Sequence, residues 1–428
     1  MATAEAVTAP PAPPQEETAH GNLWHAALSS FWFGSFFLWI PLTTVLLQDR
    51  VDHLVPQHDL QNTGIGVAAG IGGVLAVTVP PIVGAWSDRM NTRFGRRRPI
   101  IVAGTLLTMP GVFLIMAAAS YPQLLVGYAI VQFFFNAAGA AYAGVVPDVV
   151  PAQQFGKASG FLGTMTLLGI GAGTGVTSFL GDVPLMYLVI AVVVVASLPP
   201  MLWAARDEGK GPVFRAPAMP VRQKVSEFFR PLHEGDLAWV IFTRLMVSAG
   251  ITVVQVNLLN FFKDVVLGGA KADTFTAIWL SVMVVAAVPF GFFGGLLSDR
   301  LHRRKIFVYG AGAAQSLVAV VFILFYPTAQ SVVIALAVAY GVGYGLYYAV
   351  DWALACDTLP DKRQSAKDMG LFHIALTFPQ AIIPFFTGPL IDALNGPHGN
   401  GGYRVVFSSA VIFMILGTAF VSRIKTVR

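Results

Sequence analysis

Gly84-Ala-Trp-Ser-Asp-Arg-Met-Asn-Thr-Arg-Phe-Gly-Arg-Arg-Arg-Pro99 separates two apolar runs, and its opening returns further along the chain as Gly295-Leu-Leu-Ser-Asp-Arg300. A second motif, Asp148-Val-Val-Pro151, returns as Asp357-Thr-Leu-Pro360 at nearly the same interval. Two motifs repeated in one order at matching intervals mark an internal duplication. The unit around the first copy is therefore built twice.

That unit is apolar. Apolar residues make up 55% of the chain and charged residues 11%, against roughly 45–50% and about 25% in soluble domains. A soluble core could not hide so much apolar surface. Short polar breaks alternate with apolar runs of about 20 residues, enough to cross a ~30 Å hydrocarbon layer. Six runs, at 26–48, 64–86, 100–120, 124–146, 158–180 and 184–203, precede the longest internal polar stretch; six follow it, at 237–262, 274–297, 306–326, 331–355, 371–394 and 405–421. Each must be helical, because lipid offers no partner to an unpaired backbone group. The predicted fold is an all-α polytopic membrane protein, with twelve transmembrane helices in two pseudo-symmetric six-helix bundles.

Charge sets the expected orientation. Of the 27 Lys and Arg residues, 22 fall in the loops after spans two, four, six, eight and ten and in the C-terminal tail. Arg50, Lys263, Lys271 and Arg404 lie in the opposite loops, and Arg244 lies inside a span. Cytoplasmic loops collect Lys and Arg, so both termini are expected in the cytoplasm, with the protein in the plasma membrane, or the inner membrane of a bacterium. Residues 1–22 are rich in Pro, Ala and Glu and lack a signal-peptide pattern; they read as a disordered cytoplasmic tail. Residues 23–204 form the first bundle, 205–236 a cytoplasmic linker, and 237–428 the second bundle with a short cytoplasmic tail. The lone cysteine, Cys356, excludes an internal disulfide. The net charge of +5 is spread as loop punctuation rather than gathered in a patch, so nucleic acid is not an expected partner.

The stretch from Gly84 to Pro99 resembles the signature loop between helices two and three of the major facilitator superfamily. Its long form, Ser-Asp-Arg followed by Arg-Phe-Gly-Arg-Arg-Arg-Pro, is similar to the glycoside-pentoside-hexuronide cation symporters and the sucrose-transporter-like branch, as is Val350-Asp-Trp-Ala-Leu354. The resemblance implies alternating access by two rocking bundles around a cavity lined by helices one, four, seven and ten. It stops short of a melibiose-type cation site: the run 64–86 contains no Asp or Glu.

Asp88, Asp148, Asp299 and Asp357 fall just past the C-terminal ends of predicted helices, where the macrodipole disfavours an anion. They need cations, and Arg89, Arg96, Arg97 and Arg98 in one half and Arg300, Arg303, Arg304 and Lys305 in the other can supply them. Such pairs, made in one state and broken in the other, would form a cytoplasmic gate. The plainer reading is a solvated, topology-setting loop whose ion pairs are worth about 0–1 kcal/mol. Repetition of the Asp-Arg pattern favours the gate, since topology alone asks for no aspartate.

Candidate binding residues share helical faces at about 100° per residue. In the tenth span Tyr340, Tyr344, Tyr347, Tyr348 and Asp351 fall in one sector; in the seventh, Arg244, Ser248 and Gln255 do. Tyr128, Gln132 and Asn136 form a stripe in the fourth, and Trp32, Phe36, Trp39 and Thr43 in the first. Gln380 shares a face with His373 and Thr377 in the eleventh. Each tyrosine alone is better explained as core or interfacial packing; the set of stripes points to a site. Aromatic faces stack on sugar C–H surfaces while amides and hydroxyls meet the ring hydroxyls. Arg244 and Asp351 lie at matching depth and are expected to pair, since either charge alone in a membrane is costly. Asp351 is the candidate proton carrier, with His373 second; a permanent structural lock is the alternative.

No HExxH, no GxSxG and no Cys/His cluster with ligand spacing is present, so an enzyme is not expected, nor a cofactor or metal. The first reading is a secondary transporter moving a small polar solute, most readily a sugar or glycoside, with protons. Export of amphipathic compounds, or uniport, is the alternative within transporters; a receptor or assembly factor is the rival outside them.

Overall fold

The computed structural model describes residues 19–55, 58–208, 221–267, 272–395 and 401–427, with helices as its only regular structure. The first bundle comprises α1 (Asn22–Pro41), α2 (His58–Ser87), α3 (Arg98–Met116), α4 (Tyr121–Val149), α5 (Phe155–Phe179) and α6 (Val183–Ala196, continued by Leu198–Ala204). The second comprises α7 (Gly235–Phe261), α8 (Ala272–Leu301), α9 (Arg304–Phe325), α10 (Gln330–Asp357), α11 (Ser365–Leu394) and α12 (Gly401–Phe420). Helix starts follow local rules: Pro99, Pro122 and Pro184 occupy first-turn positions, where no donor is lost, and the Asp182 carboxylate accepts from the Leu185 N–H at 3.2 Å. Both α1 and α7 run on through a single π-turn, Leu42–Leu46 and Phe262–Val266.

The two halves repeat each other's packing. Helix α1 lies against α5 as α7 lies against α11; α2 and α3 flank α4 as α8 and α9 flank α10. Contacts between the halves obey the same two-fold relation, α2 and α4 meeting α11 while α8 and α10 meet α5. At 30 residues each, α2, α8 and α11 are about 45 Å long and project beyond a ~30 Å hydrocarbon layer. The repeated motifs sit at the ends of α2 and α8 and of α4 and α10, at the face that collects Lys and Arg, called here the basic face.

Among the described residues, eleven segments are long and apolar enough to span a membrane. The twelfth helix, α5, is 25 residues long but rich in Gly and Thr. Its surroundings explain this composition: α1, α8 and α10 enclose it, and membrane helices that pack on helices rather than lipid favour small residues. A Cβ on Gly160 would stand 3.0 Å from the Gly291 carbonyl oxygen, so the two halves cross there almost backbone to backbone.

The structure describes parts of the expected tail and linker. Most of the expected tail lies outside the described residues, but His20 is held at the basic face: its N–H donates to Gln154 Oε1 at 2.9 Å, and its carbonyl accepts from Lys157 Nζ at 2.9 Å. Part of the linker, 209–220, also lies outside them; beyond it Val221–Phe229 forms a short amphipathic helix, and before it Glu208 is buried. Apolar residues at Val225, Phe228 and Phe229 recur at helical spacing there, a periodicity masked by the polar average of the segment.

Candidate functional site

Between the halves lies a cavity of about 440 Å³, within the usual range for small-molecule sites. Its walls are the middle of α1, the glycine-rich stretch of α2 around Gly72 and Gly73, the stripe of α4 and the inner half of α11. Trp32, Phe36, Trp39 and Phe135 supply aromatic faces; Ser35, Thr43, Tyr128, Gln132, Asn136, Thr377 and Gln380 supply neutral polar groups. Among the described residues, no Asp, Glu, Lys or Arg contributes to this lining, and His373 is its one imidazole. Of the expected binding residues, Trp39, Gln132, Asn136 and Gln380 are thus brought together, with the second proton candidate His373 beside them.

The α4 stripe is a prearranged ladder. Gln132 Nε2 donates to the Tyr128 hydroxyl at 2.7 Å, and Asn136 Nδ2 donates to Gln132 Oε1 at 2.9 Å. The Tyr128 O–H proton and the Asn136 carbonyl oxygen remain for a solute. Gly72 of α2 presses on this ladder: a Cβ there would stand 2.7 Å from Gln132 Nε2 and 3.0 Å from the Tyr128 hydroxyl. Gly72→Ala is therefore expected to displace Gln132 and weaken solute binding by roughly 5- to 10-fold, one hydrogen bond's worth. Titration of intrinsic fluorescence with the transported solute is the measurement; unchanged affinity would show that the ladder is not in contact with it.

The stripes of α7 and α10 lie elsewhere. Arg244, Tyr344, Tyr347, Tyr348 and Asp351 are outside the cavity lining and buried in the second half, and Gln255 is partly buried beside them. This cavity is walled by α1, α2, α4 and α11, and of the four helices expected to line one, α7 and α10 do not contribute to it. Part of these stripes is turned inward: Tyr344 donates to the Tyr348 hydroxyl at 3.3 Å and bonds Gln255, so these three polar groups face one another. Arg244 Nη1 lies 2.6 Å from Asp351 Oδ2, both side chains nearly inaccessible. The Arg244 guanidinium also lies 3.7 Å over the Phe372 ring, and the Tyr347 hydroxyl is beside the Asp351 carboxylate.

At the basic face the charges resolve into two hubs. Arg97, fully buried, holds Asp148 at 2.7 Å and Asp88 at 3.0 Å; Arg96 joins Asp148 at 3.0 Å. In the second half Arg304 takes the equivalent place, 3.1 Å from Asp299 and paired with Asp357. Arg89 and Arg300, adjacent in sequence to the motif aspartates, are exposed and outside both hubs. Neighbouring positions on a helix point in different directions, so the next helix start supplies the cation instead. Sequence reading missed Glu208, whose carboxylate accepts from the backbone N–H groups of Arg96 and Arg97 at 3.2 and 3.1 Å.

Each hub also caps a helix of the other half. Asp88 accepts from the N–H groups of Ala366 and Lys367 at 3.1 and 2.9 Å, at the start of α11. Asp299 accepts from those of Gly156 and Lys157 at 2.8 and 2.5 Å, at the start of α5. Helix N-termini offer free N–H groups and positive potential, so each carboxylate leaves an unfavourable helix end for a favourable one. Arg97 Nη2 adds a bond to Ser365 Oγ at 2.7 Å. Burial pushes the Asp88 carboxyl up, against the pull of Arg97 and the two N–H groups.

Together the fold and the site define a class: a membrane protein of two duplicated helical bundles, closed at one face around a central cavity. The sequence profile of the Major Facilitator Superfamily matches residues 25–384 and again residues 270–427. The chain belongs to the Major Facilitator Superfamily, a family of transporters rather than enzymes. Solved structures of similar fold include the human organic anion transporter MFSD10 (TM-score 0.70, 13% identity, 96% of this chain and 100% of that one). A bacterial homologue of the iron transporter ferroportin in an outward-facing state gives a TM-score of 0.69 at 13% identity, over 94% and 98% of the two chains. The proton:xylose symporter XylE bound to 6-bromo-6-deoxy-D-glucose gives 0.63 at 14%, over 94% and 96%. At these identities the likeness is one of fold alone.

Proposed function

We propose that this transporter moves a small uncharged polar solute, a sugar or glycoside, by alternating access, and that it does so with protons. The observation that carries the reading is the cavity: aromatic faces beside a neutral donor-acceptor ladder, with carboxylates and guanidiniums kept out of the described lining. A charged solute would be stripped of water there without a counter-charge, at a cost of several kcal/mol. A polyol finds both stacking surface and hydrogen bonds. The proton is assigned to Asp351, which lies one packed layer behind the cavity, paired with Arg244. Likeness to the proton:xylose symporter agrees with this reading, and the same fold also serves an organic anion and an iron transporter.

The basic face is read as cytoplasmic on the charge asymmetry of the loops, which puts both termini inside. With that face latched, the cavity belongs to a conformation closed to the cytoplasm, and the gate residues are Asp88, Asp148, Asp299 and Asp357 with Arg96, Arg97 and Arg304. The test is uptake into proteoliposomes with the inside made alkaline, using radiolabelled glucose, xylose, sucrose and maltose beside a carboxylate and an organic cation. Uphill uptake of a sugar that collapses with a protonophore is the expected result. Uphill uptake of only the charged compounds would sink the substrate assignment; downhill uptake alone would sink the proton.

A further inference from the structure

The cavity and the Arg244–Asp351 pair do not touch, yet a transporter of the kind proposed must make each respond to the other. Two buried rings stand between them, Trp352 at 3% exposure and Phe372 at 1%. Trp32, a cavity wall, meets Trp352 edge-on, with ring centres 5.4 Å apart and planes at 88°. Trp352 meets Phe372 in the same manner, at 6.1 Å and 79°. Phe372 presents its face to Arg244, whose Cζ lies 3.7 Å from the ring centre, and Arg244 holds Asp351. The chain of contacts runs from α1 in one half to α10, α11 and α7 in the other. It is closed by sequence neighbours: Asp351 precedes Trp352, and Phe372 precedes the cavity residue His373.

We propose that Trp352 and Phe372 are positioning residues that link the occupancy of the cavity, through Trp32, to the state of the ion pair. The inference rests on the reading of cavity and ion pair given above. Plain core packing would need only apolar volume at these positions. Here a ring face has a specific task, because Arg244 is buried, its Nη1 meets Asp351, and its Nε lacks a hydrogen-bond partner among the described residues. The π-surface is then the neighbour that answers its charge alongside Asp351. When Asp351 is neutral, the uncompensated guanidinium draws harder on that face. Edge-to-face contacts are directional, and a close-packed interior passes on a displacement instead of absorbing it, so a shift of Phe372 moves Trp352 and then Trp32. In the reverse sense, a solute pressing on Trp32 moves the ring that Arg244 lies on and changes how tightly Arg244 holds Asp351.

The experiment needs no solute. The full chain, labelled with 5-fluorotryptophan and placed in lipid nanodiscs, is followed by fluorine NMR, the Trp32 and Trp352 lines being assigned from Trp32→Phe and Trp352→Phe. Asp351→Asn, which removes the charge, is expected to shift the Trp32 line. In a Phe372→Leu background that shift should fall to less than half, the non-additivity of residues acting in series, and Phe372→Tyr, which keeps the ring, should retain it. Should Asp351→Asn not fold, Arg244→Lys disturbs the pair from its other side and carries the same expectation. A Trp32 line that moves equally with and without the Phe372 ring, or that ignores both changes to the pair, overturns the link. Failure of proton-driven uptake would instead overturn the proton assignment, because the fluorine lines do not depend on transport.

Discussion

Asp351→Asn is expected to abolish pH-driven accumulation of solute while exchange at equal pH stays measurable. The unsubstituted protein, carrying one proton with each solute, can hold about a tenfold solute gradient for each unit of pH imposed, since one unit stores ~1.4 kcal/mol. Without a group that takes up and releases the proton, the ratio falls to one whatever the gradient. Asn has the shape of Asp, and its amide oxygen can still accept from Arg244, so the site is altered in charge with little change in volume. Removing one partner of a buried pair nevertheless costs about 3–5 kcal/mol, and a lowered melting temperature should accompany the loss. Arg244→Ala is the harsher change: it leaves a buried carboxylate with no cation and the Phe372 face with no charge above it, so exchange should be lost as well. Paired measurements of uphill uptake and equal-pH exchange in one vesicle preparation decide the matter. If Asp351→Asn still concentrates solute, the proton travels elsewhere, with His373 in the cavity wall next in line.

Much of the architecture is legible in the order of the residues alone. Span length and hydropathy locate the helices, and the repeated Asp-Arg motifs reveal the duplication, because both signals are local to short stretches. The pairing of Arg244 with Asp351 is legible for a different reason: membrane depth can be counted along a helix, and a buried charge needs its opposite. What the residues do not reveal is where the cavity lies. Helical periodicity places a polar stripe on a face but not on a wall, and the stripes of α7 and α10 turn their hydroxyls and amides toward each other. Helix α2 enters the cavity wall through Gly72 and Gly73, which carry no side-chain signal at all. Glu208 is hidden by distance, since nothing local ties it to Arg96 and Arg97. The cross-caps of α5 and α11 are hidden by chemistry: their donors are backbone N–H groups, which every residue but proline carries.

Those cross-caps carry the last prediction. Asp88→Asn should open the basic face and slow conformational cycling while solute affinity stays within a factor of about two, because Asp88 is remote from the cavity lining. Asp88 uses both oxygens across the boundary, one toward Ala366 and one toward Lys367. Asn can offer only one; its amide nitrogen then confronts an N–H donor or Arg97, and the charge that answered both is gone. Hydrogen bonds to a charged group are worth ~1.5–3 kcal/mol, so the first turn of α11 should exchange its amide hydrogens roughly 10- to 100-fold faster. The start of α5, capped independently by Asp299, should follow if the two halves part as rigid bodies and stay protected if α11 frays alone. Hydrogen exchange resolved at Ala366–Lys367 and Gly156–Lys157 distinguishes the two. Acid should not imitate the substitution. Burial holds the Asp88 carboxyl above its ordinary range in the closed face, and an open face would return it toward that range, so by linkage protonation favours the closed state as pH falls. Faster exchange at α11 with Asn, together with unchanged or slower exchange in acid, is the expected pattern. Exchange at both helix starts that ignores Asp88→Asn would show that the motif aspartate does not latch the halves.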